Sequence, residues 1–203
     1  MTKASEENSR LPMASRSIIR TGRLPRLPWK NGAGTTREVA VFPGGSGPDS
    51  FRWRISVASI IEGAPFSTFP GVDRHFLVAT PGTIEMTIPE GTAILTFGQS
   101  VSFPGEDEVA VQVLNGPVSA VNFMTDRTAC SGAQHVQRVS GRVALKASTA
   151  ALVMLVGSAQ TEDGWKLGPM DILTCGPESE TLNFTAATIC TMHAWPNNTA
   201  FAE

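Results

Sequence analysis

Metal and thiol chemistry have little to draw on in this chain. Its three histidines, His75, His135 and His193, lie far apart and no H-x-H pair occurs, whereas a metal site in a β-barrel enzyme needs several His, Asp or Glu side chains converging. The sequence therefore predicts no metal and no other cofactor, and His75 reads as a structural residue. The three cysteines, Cys130, Cys175 and Cys190, have no C-x-x-C spacing, so neither a zinc ribbon nor a redox pair is signalled and the thiols read as buried and idle. No G-x-S-x-G elbow is present, and no Ser or Cys stands beside a His in a setting for nucleophilic attack.

Excess charge is also missing. With 16 basic against 18 acidic residues and only 17% charged, the chain offers no basic field for nucleic acid or for an anionic lipid surface. The longest apolar run, around residues 150 to 156, is far too short to span a bilayer, and the first seventeen residues lack the apolar core of a signal peptide. These readings predict a cytoplasmic protein with no nucleic-acid and no membrane partner.

What is present is period-two alternation, broken every eight to twelve residues by Gly, Pro or Asn, which is the pattern of an all-β sandwich or barrel. In "TIEMTIPEGTAILTF", Ile84, Met86 and Ile88 share one face before Pro89-Glu90-Gly91 turns the chain. "HFLVATPG", "VAVQVLNGP" and "VSAVNFM" read as further strands. The segment 126 to 139, "DRTACSGAQHVQRV", loses the alternation and reads as a connection, after which "VALKAS", "AALVMLVG", "DILTC" and "ATICTMHAW" resume it. The chain thus divides into a flexible tail (1–15), a first β unit (16–127) and a second (128–203), with strands shared between the units allowed. "FPGGSGPDS" at 42 to 50 reads as a surface loop.

The chemically densest stretch is "PWKNGAGTTRE", residues 28 to 38. A phosphate-binding P-loop is excluded, because Lys30 precedes the glycines and "TTREVAVF" continues as a strand where a helix is required. Asn31, Gly32 and Gly34 tolerate positive φ and allow a sharp turn whose backbone N–H groups converge. In the strand that follows, Arg37, Val39 and Val41 are expected on one face and Thr36, Glu38, Ala40 and Phe42 on the other. In "FRWRISVAS", Phe51, Trp53, Ile55 and Val57 form an apolar face opposite Arg52 and Arg54. Either that second face is solvated, or it lines a cavity in which Arg54 needs an anion, Glu38 or a carboxylate ligand. "GAPFSTFPGVDRHF" reads as a rigid loop in which Phe66 and Phe69 plug the core and Asp73 pairs locally.

Taken in order, these stretches resemble the HutD/Ves family of bicupins. "LPWKNGAGTTREVAVFP" is similar to its P-W-K-N-G-x-G-x-T-R-E signature, "FRWRISVASI" to its F-x-W-R strand, "GAPFSTFPGVDR" to its G-P-F-S-x-F-P-G-x-D-R loop, and "LNGPVSAVNFMTDR" to a later segment. The resemblance covers residues 27 to 127. It departs at Ala120, where the family pattern has Asp, at Glu106 and at His75. It implies two cupin-like jelly-roll β-barrels and a place in histidine utilisation, with members not established as enzymes. The implied ligand is a small carboxylate such as urocanate or a formyl or formimino derivative of glutamate; a metal-free isomerase or hydrolase with Glu38 as base is the alternative. Carried over residue by residue, the binding lining would comprise Trp29, Lys30, Asn31, Thr36, Arg37, Glu38, Arg54, Phe69 and Arg74, with Arg54 clamping the carboxylate, Glu38 orienting it, and Trp29 and Phe69 as apolar walls. Of Arg37 and Glu38, which point opposite ways, Glu38 is the one expected to meet Arg54. Pairing of two copies through exposed strand edges, as in other cupins, is a further expectation.

Overall fold

A computed structural model describes residues 15–29, 32–47, 50–176 and 178–197. The expected tail, apart from Ser15, lies outside them, as do Lys30 and Asn31. The described chain is all-β, its one helical element a 3-10 turn at Thr21–Arg23. The strands of the first part are β1 (Ser17–Arg20), β2 (Leu27–Pro28), β3 (Gly34–Phe42), β4 (Trp53–Ile60), β5 (Ala64–Pro65) and β6 (Val72–Val78). There follow β7 (Thr83–Ile88), β8 (Gly91–Thr96), β9 (Ser100–Pro104), β10 (Ala110–Asn115) and β11 (Val118–Asp126). The remainder are β12 (Cys130–Ala144), β13 (Thr149–Thr161), β14 (Lys166–Leu167), β15 (Asp171–Thr174) and β16 (Thr181–Pro196).

They form three open sheets rather than two closed barrels. A six-stranded sheet runs β2-β3-β4-β11-β6-β9, a four-stranded sheet runs β5-β10-β7-β8, and a second six-stranded sheet runs β1-β15-β13-β16-β12 with β14 on β13. The β7–β8 hairpin forms where the alternation and the Pro89-Glu90-Gly91 turn place it, with Ile88 opposite Gly91. β1, although early in the chain, pairs with β15, Ser17 opposite Thr174. Ion pairs from Arg16 to Asp163 and Glu180 and from Arg20 to Asp171 hold it there.

The stretch read as a connection is in fact the start of β12, paired with β16 from Cys130 to Ala144. It is an edge strand, with one neighbour only, and its inward positions are small for a steric reason. A Cβ on Gly132 would stand 2.6 Å from Thr125 Cγ2, 3.0 Å from Phe123 and 3.1 Å from His75 Nε2. Small and polar residues therefore replace the large apolar ones that make a strand visible in sequence.

The sheet containing β4 is covered on both faces. On one, Trp53, Ile55, Val57, Leu77, Val121 and Phe123 pack against residues of the C-terminal sheet such as Ala151, Val153, Ile172 and Met192. On the other, Ala58, Ile60, Phe76, Val78, Val118 and Ala120 pack against Ile84, Met86, Leu95 and Val111 of the four-stranded sheet. A third cluster, with Leu152, Met154, Leu173, Phe184 and Ile189, lies on the far face of the C-terminal sheet. Among the described residues no helix is long and apolar enough to cross a membrane.

Because the two halves of the chain share one core, they should unfold together. Phe123, fully buried between Trp53 and the His75 ring, is the test: Phe123→Ala should cost about 3–5 kcal/mol while calorimetry still shows a single transition.

Candidate functional site

The site grows out of the face of β4 that carries the arginines. In an antiparallel ladder, residues directly opposite share a face, and Arg54 stands opposite Met124, which stands opposite Arg74, which stands opposite Phe103. One row thus carries two guanidinium groups across four strands. One step along, Ser56, Asn122 and Phe76 form the adjacent row. Between these rows and the loops at 27–29 and 65–69 lies a cavity of about 480 Å³, lined among others by Trp29, Thr36, Arg54, Phe66, Arg74 and Asn122. Phe69, Ser67 and Met124 also line it.

The turn at its mouth explains the glycines of the opening motif. Trp29 N–H donates to Gly34 O (2.9 Å) and Gly32 N–H to Trp29 O (3.1 Å), with Gly32 at φ +76°. At Gly34 the constraint is space: a Cβ would fall 2.4 Å from Ser59 O and 3.1 Å from the Trp29 ring. Trp29 is held over the cavity because its indole N–H donates to Thr36 Oγ1 (2.7 Å).

Register decides which neighbours reach the cavity. Glu38 lies opposite Ser56, then the β3–β4 register slips before Ala40. This β-bulge puts Val41, opposite Arg54, on the face of Glu38, and Ala40 and Phe42 on the face of Arg37, which corrects the simple alternation expected for this strand. Arg37 therefore does not line the cavity: it stands on the other face, 9% exposed, with Nε unpartnered among the described residues. Burial, and next to it the charge of Arg26, lower its pKa. Glu38 does meet Arg54: Arg54 Nε donates to Glu38 Oε2 at 3.0 Å. With Glu38 half exposed, this pair contributes about 0–1 kcal/mol. Its consequence is geometric, because it engages the Nε edge of Arg54 and leaves the terminal nitrogens without a bond to any described residue.

Arg74 is the unusual group. It is 5% exposed and has no carboxylate partner among the described residues. Its Nη1 donates to Ser67 O (3.1 Å) and its Nη2 to Asn122 Oδ1 (3.2 Å). The guanidinium faces the rings of Phe66, Phe103 and Phe69 at 4.9, 5.1 and 5.6 Å from their centroids. Burial, and secondarily Arg54, pull its pKa down to about 10, so it remains a cation at neutral pH. Such a charge, taken out of water with hydrogen bonds and aromatic faces but no counter-ion, attracts an anion.

Other titratable groups lie away from this cavity. His75 points to the opposite face, its Nδ1 2.7 Å from Ser102 Oγ and its ring stacked on Phe123. His193 lies between Ser148 and Thr191 hydroxyls. Among the described residues no three His, Cys, Asp or Glu side chains gather as a metal site. The three cysteines are free and buried, and burial raises Cys130 to about 11 and Cys175 and Cys190 to about 12. Asp73, expected to pair within its own loop, instead accepts from Arg127 Nε, 54 residues on, at 2.8 Å, while Glu106 accepts from both Arg127 terminal nitrogens and is drawn down to about 2 by that bond.

Of the residues predicted to form the lining, Trp29, Thr36, Arg54, Phe69 and Arg74 come together around the cavity, Glu38 holds Arg54, Arg37 faces away, and Lys30 and Asn31 lie outside the described residues. Not anticipated was Asn122, buried at 6% exposure in the strand "VSAVNFM". A lone amide in a strand apolar on both faces was the available signal. Phe66 is a cavity wall as well as a core residue, and the Ser67 carbonyl left no trace in sequence.

A cupin-like all-β protein with a two-arginine, aromatic-walled cavity is what this geometry defines. The chain belongs to the HutD family, whose model it matches over residues 22–192. It is 33% identical over 114 residues to an uncharacterised 21.2 kDa protein in the hutC 3′ region of Pseudomonas putida, covering 55% of this chain and 59% of that one. With Protein Ves of Citrobacter koseri it shares 36% over 110 residues, 53% of this chain and 56% of that one. The chain thus matches less than two thirds of the length of either relative. Among solved structures, a conserved Pseudomonas aeruginosa protein of unknown function is similar with TM-score 0.76 and 29% identity, over 89% of this chain and 99% of that one. HutD from Pseudomonas fluorescens has TM-score 0.75 and 24% identity, over 91% and 100%. A cupin 2 barrel protein from Leptotrichia buccalis, TM-score 0.59 at 11% identity over 89% and 96%, shares the fold.

The histidines give a pH test. Burial is the leading cause lowering the His75 pKa below 6.5, with Asp73 opposing it, so the folded chain binds this proton less readily than the unfolded one. Its contribution is complete above pH 6.5 and is lost as pH falls below that value. His75→Gln should flatten the decline of melting temperature between pH 7 and 5, read by thermal denaturation across that range.

Proposed function

We propose that this protein binds a small carboxylate in the cavity and through that binding modulates histidine utilisation, without turning the ligand over. The observation that carries the reading is Arg74, a buried cation lacking an acidic partner among the described residues, at the wall of an apolar cavity. Arg54 adds a guanidinium whose terminal nitrogens are open to a forked carboxylate contact, with Glu38 on its Nε fixing its direction. Trp29, Phe66 and Phe69 supply surfaces for a flat body. Urocanate and formyl- or formimino-glutamate are the ligands to try first. Membership of the HutD family and the hutC-region name of the P. putida relative support the pathway. The same reading holds the chain to be a cytoplasmic bicupin, two cupin-like units exchanging β1, that pairs with a second copy through its strand edges.

Catalysis with Glu38 as base is the less favoured reading, because its carboxylate is committed to Arg54 and half exposed. Isothermal titration with the three compounds is expected to show saturable binding of at least urocanate that Arg54→Ala weakens at least tenfold, while NMR shows each compound unchanged. Absence of binding by all three to folded protein would sink the proposal, and steady conversion abolished by Glu38→Gln would replace it with the enzyme reading.

A further inference from the structure

Resting on that carboxylate-binding reading, we infer that Asn122 is the residue that reads the anion, that Arg74 positions it, and that the cavity accepts ligands bearing one carboxylate and discriminates against two.

Arginine only donates hydrogen bonds, whereas an amide both accepts and donates. Arg74 Nη2 therefore requires the Asn122 oxygen, and at 3.2 Å it has it. The Asn122 NH2 group is consequently turned away from Arg74. Asn122 lines the cavity, and its Nδ2 has no hydrogen-bond partner among the described residues, so two N–H donors face the ligand space. Arg74 itself is less available for direct contact, since Nη1 and Nη2 each spend one N–H on Ser67 O and Asn122 Oδ1, Nε is fully buried with no partner among the described residues, and three phenyl rings enclose the group. It acts through the amide it orients and through its charge.

The charge count then sets the ligand class. Two guanidinium groups line the cavity, and Glu38 neutralises one of them. A single positive charge remains uncompensated among the described lining residues. One carboxylate cancels it. A second carboxylate would be carried among Trp29, Phe66 and Phe69 with no cation left to pair among the described lining residues, at the desolvation cost of an unpaired buried ion. A flat monocarboxylate with a neutral body fits the walls and the count together, which among the three compounds named above selects urocanate over formyl- and formimino-glutamate, each of which carries two carboxylates.

The test uses a pair matched in shape, cinnamate and 4-carboxycinnamate, with the methyl ester of cinnamate as the uncharged control, titrated calorimetrically into the full chain. Cinnamate is expected to bind at least tenfold more tightly than the dicarboxylate, and the ester to show no saturable binding. Asn122→Asp gives the second readout. The new carboxylate pairs with Arg74, so the melting temperature should rise while cinnamate affinity falls at least tenfold, an opposition that simple damage to the fold does not produce. Equal or tighter binding of the dicarboxylate, or full affinity in Asn122→Asp, would overturn this inference and leave carboxylate binding standing. Failure of cinnamate and of all three compounds named above to bind the wild-type chain would remove both.

Discussion

Everything in this molecule follows from one sheet being buried on both faces. The β3, β4, β11 and β6 strands put Trp53, Ile55, Val57 and Phe123 against the C-terminal sheet and Ala58, Ile60, Phe76 and Ala120 against the four-stranded sheet. Once both faces are covered, a charged side chain in the covered part of these strands, such as Arg74, does not reach bulk water by pointing straight out. Arg54 and Arg74 are on the face toward the smaller sheet, and the layers must part around them. The cavity is the space left where two guanidinium groups displace the apolar packing that Ile84 and Met86 provide further along.

The two arginines answer the same problem differently. Arg54 lies on β4, where the neighbouring β3 brings Glu38 across, and an ion pair at a half-exposed carboxylate is enough. Arg74 lies two strands further along the sheet, on β6, with no acid within ion-pair distance among the described residues, and is accommodated by a carbonyl, an amide and three phenyl rings. Hydrogen bonds and aromatic faces meet its terminal nitrogens, but Nε is buried with no partner among the described residues and the charge is not cancelled. That imbalance separates a site from a core, because a buried ion with its partners complete has nothing left to recruit. The turn at Trp29 belongs to the same design: Gly34 has no Cβ so that the indole can close over Ser59, and Thr36 pins the ring from within the cavity.

Individual strands such as β7 and β8 and the turn between them were legible in the sequence, since alternation and Pro/Gly punctuation report one-faced burial directly. β12 was not, because small residues facing Phe123 and His75 erase the alternation that marks a strand. The β3 bulge was not either: a one-residue slip between Glu38 and Ala40 leaves no mark in composition, yet it moves Val41 and Ala40 to exchanged faces.

By itself, then, the sequence determined an all-β chain, the turn residues around Trp29, the opposition of Arg37 and Glu38, and the family to which the motifs belong. These are local properties, set by side-chain periodicity and by the φ freedom of glycine. Only the tertiary structure decided that Arg54 faces a cavity, that Arg37 lies on the other side, that β1 crosses to the C-terminal sheet, and that Asn122 and Arg74 meet. Residues 74 and 122 are 48 positions apart and become neighbours because β6 and β11 pair in one register. A strand's alternation states which side chains share a face; what that face looks onto is settled by the layer that covers it.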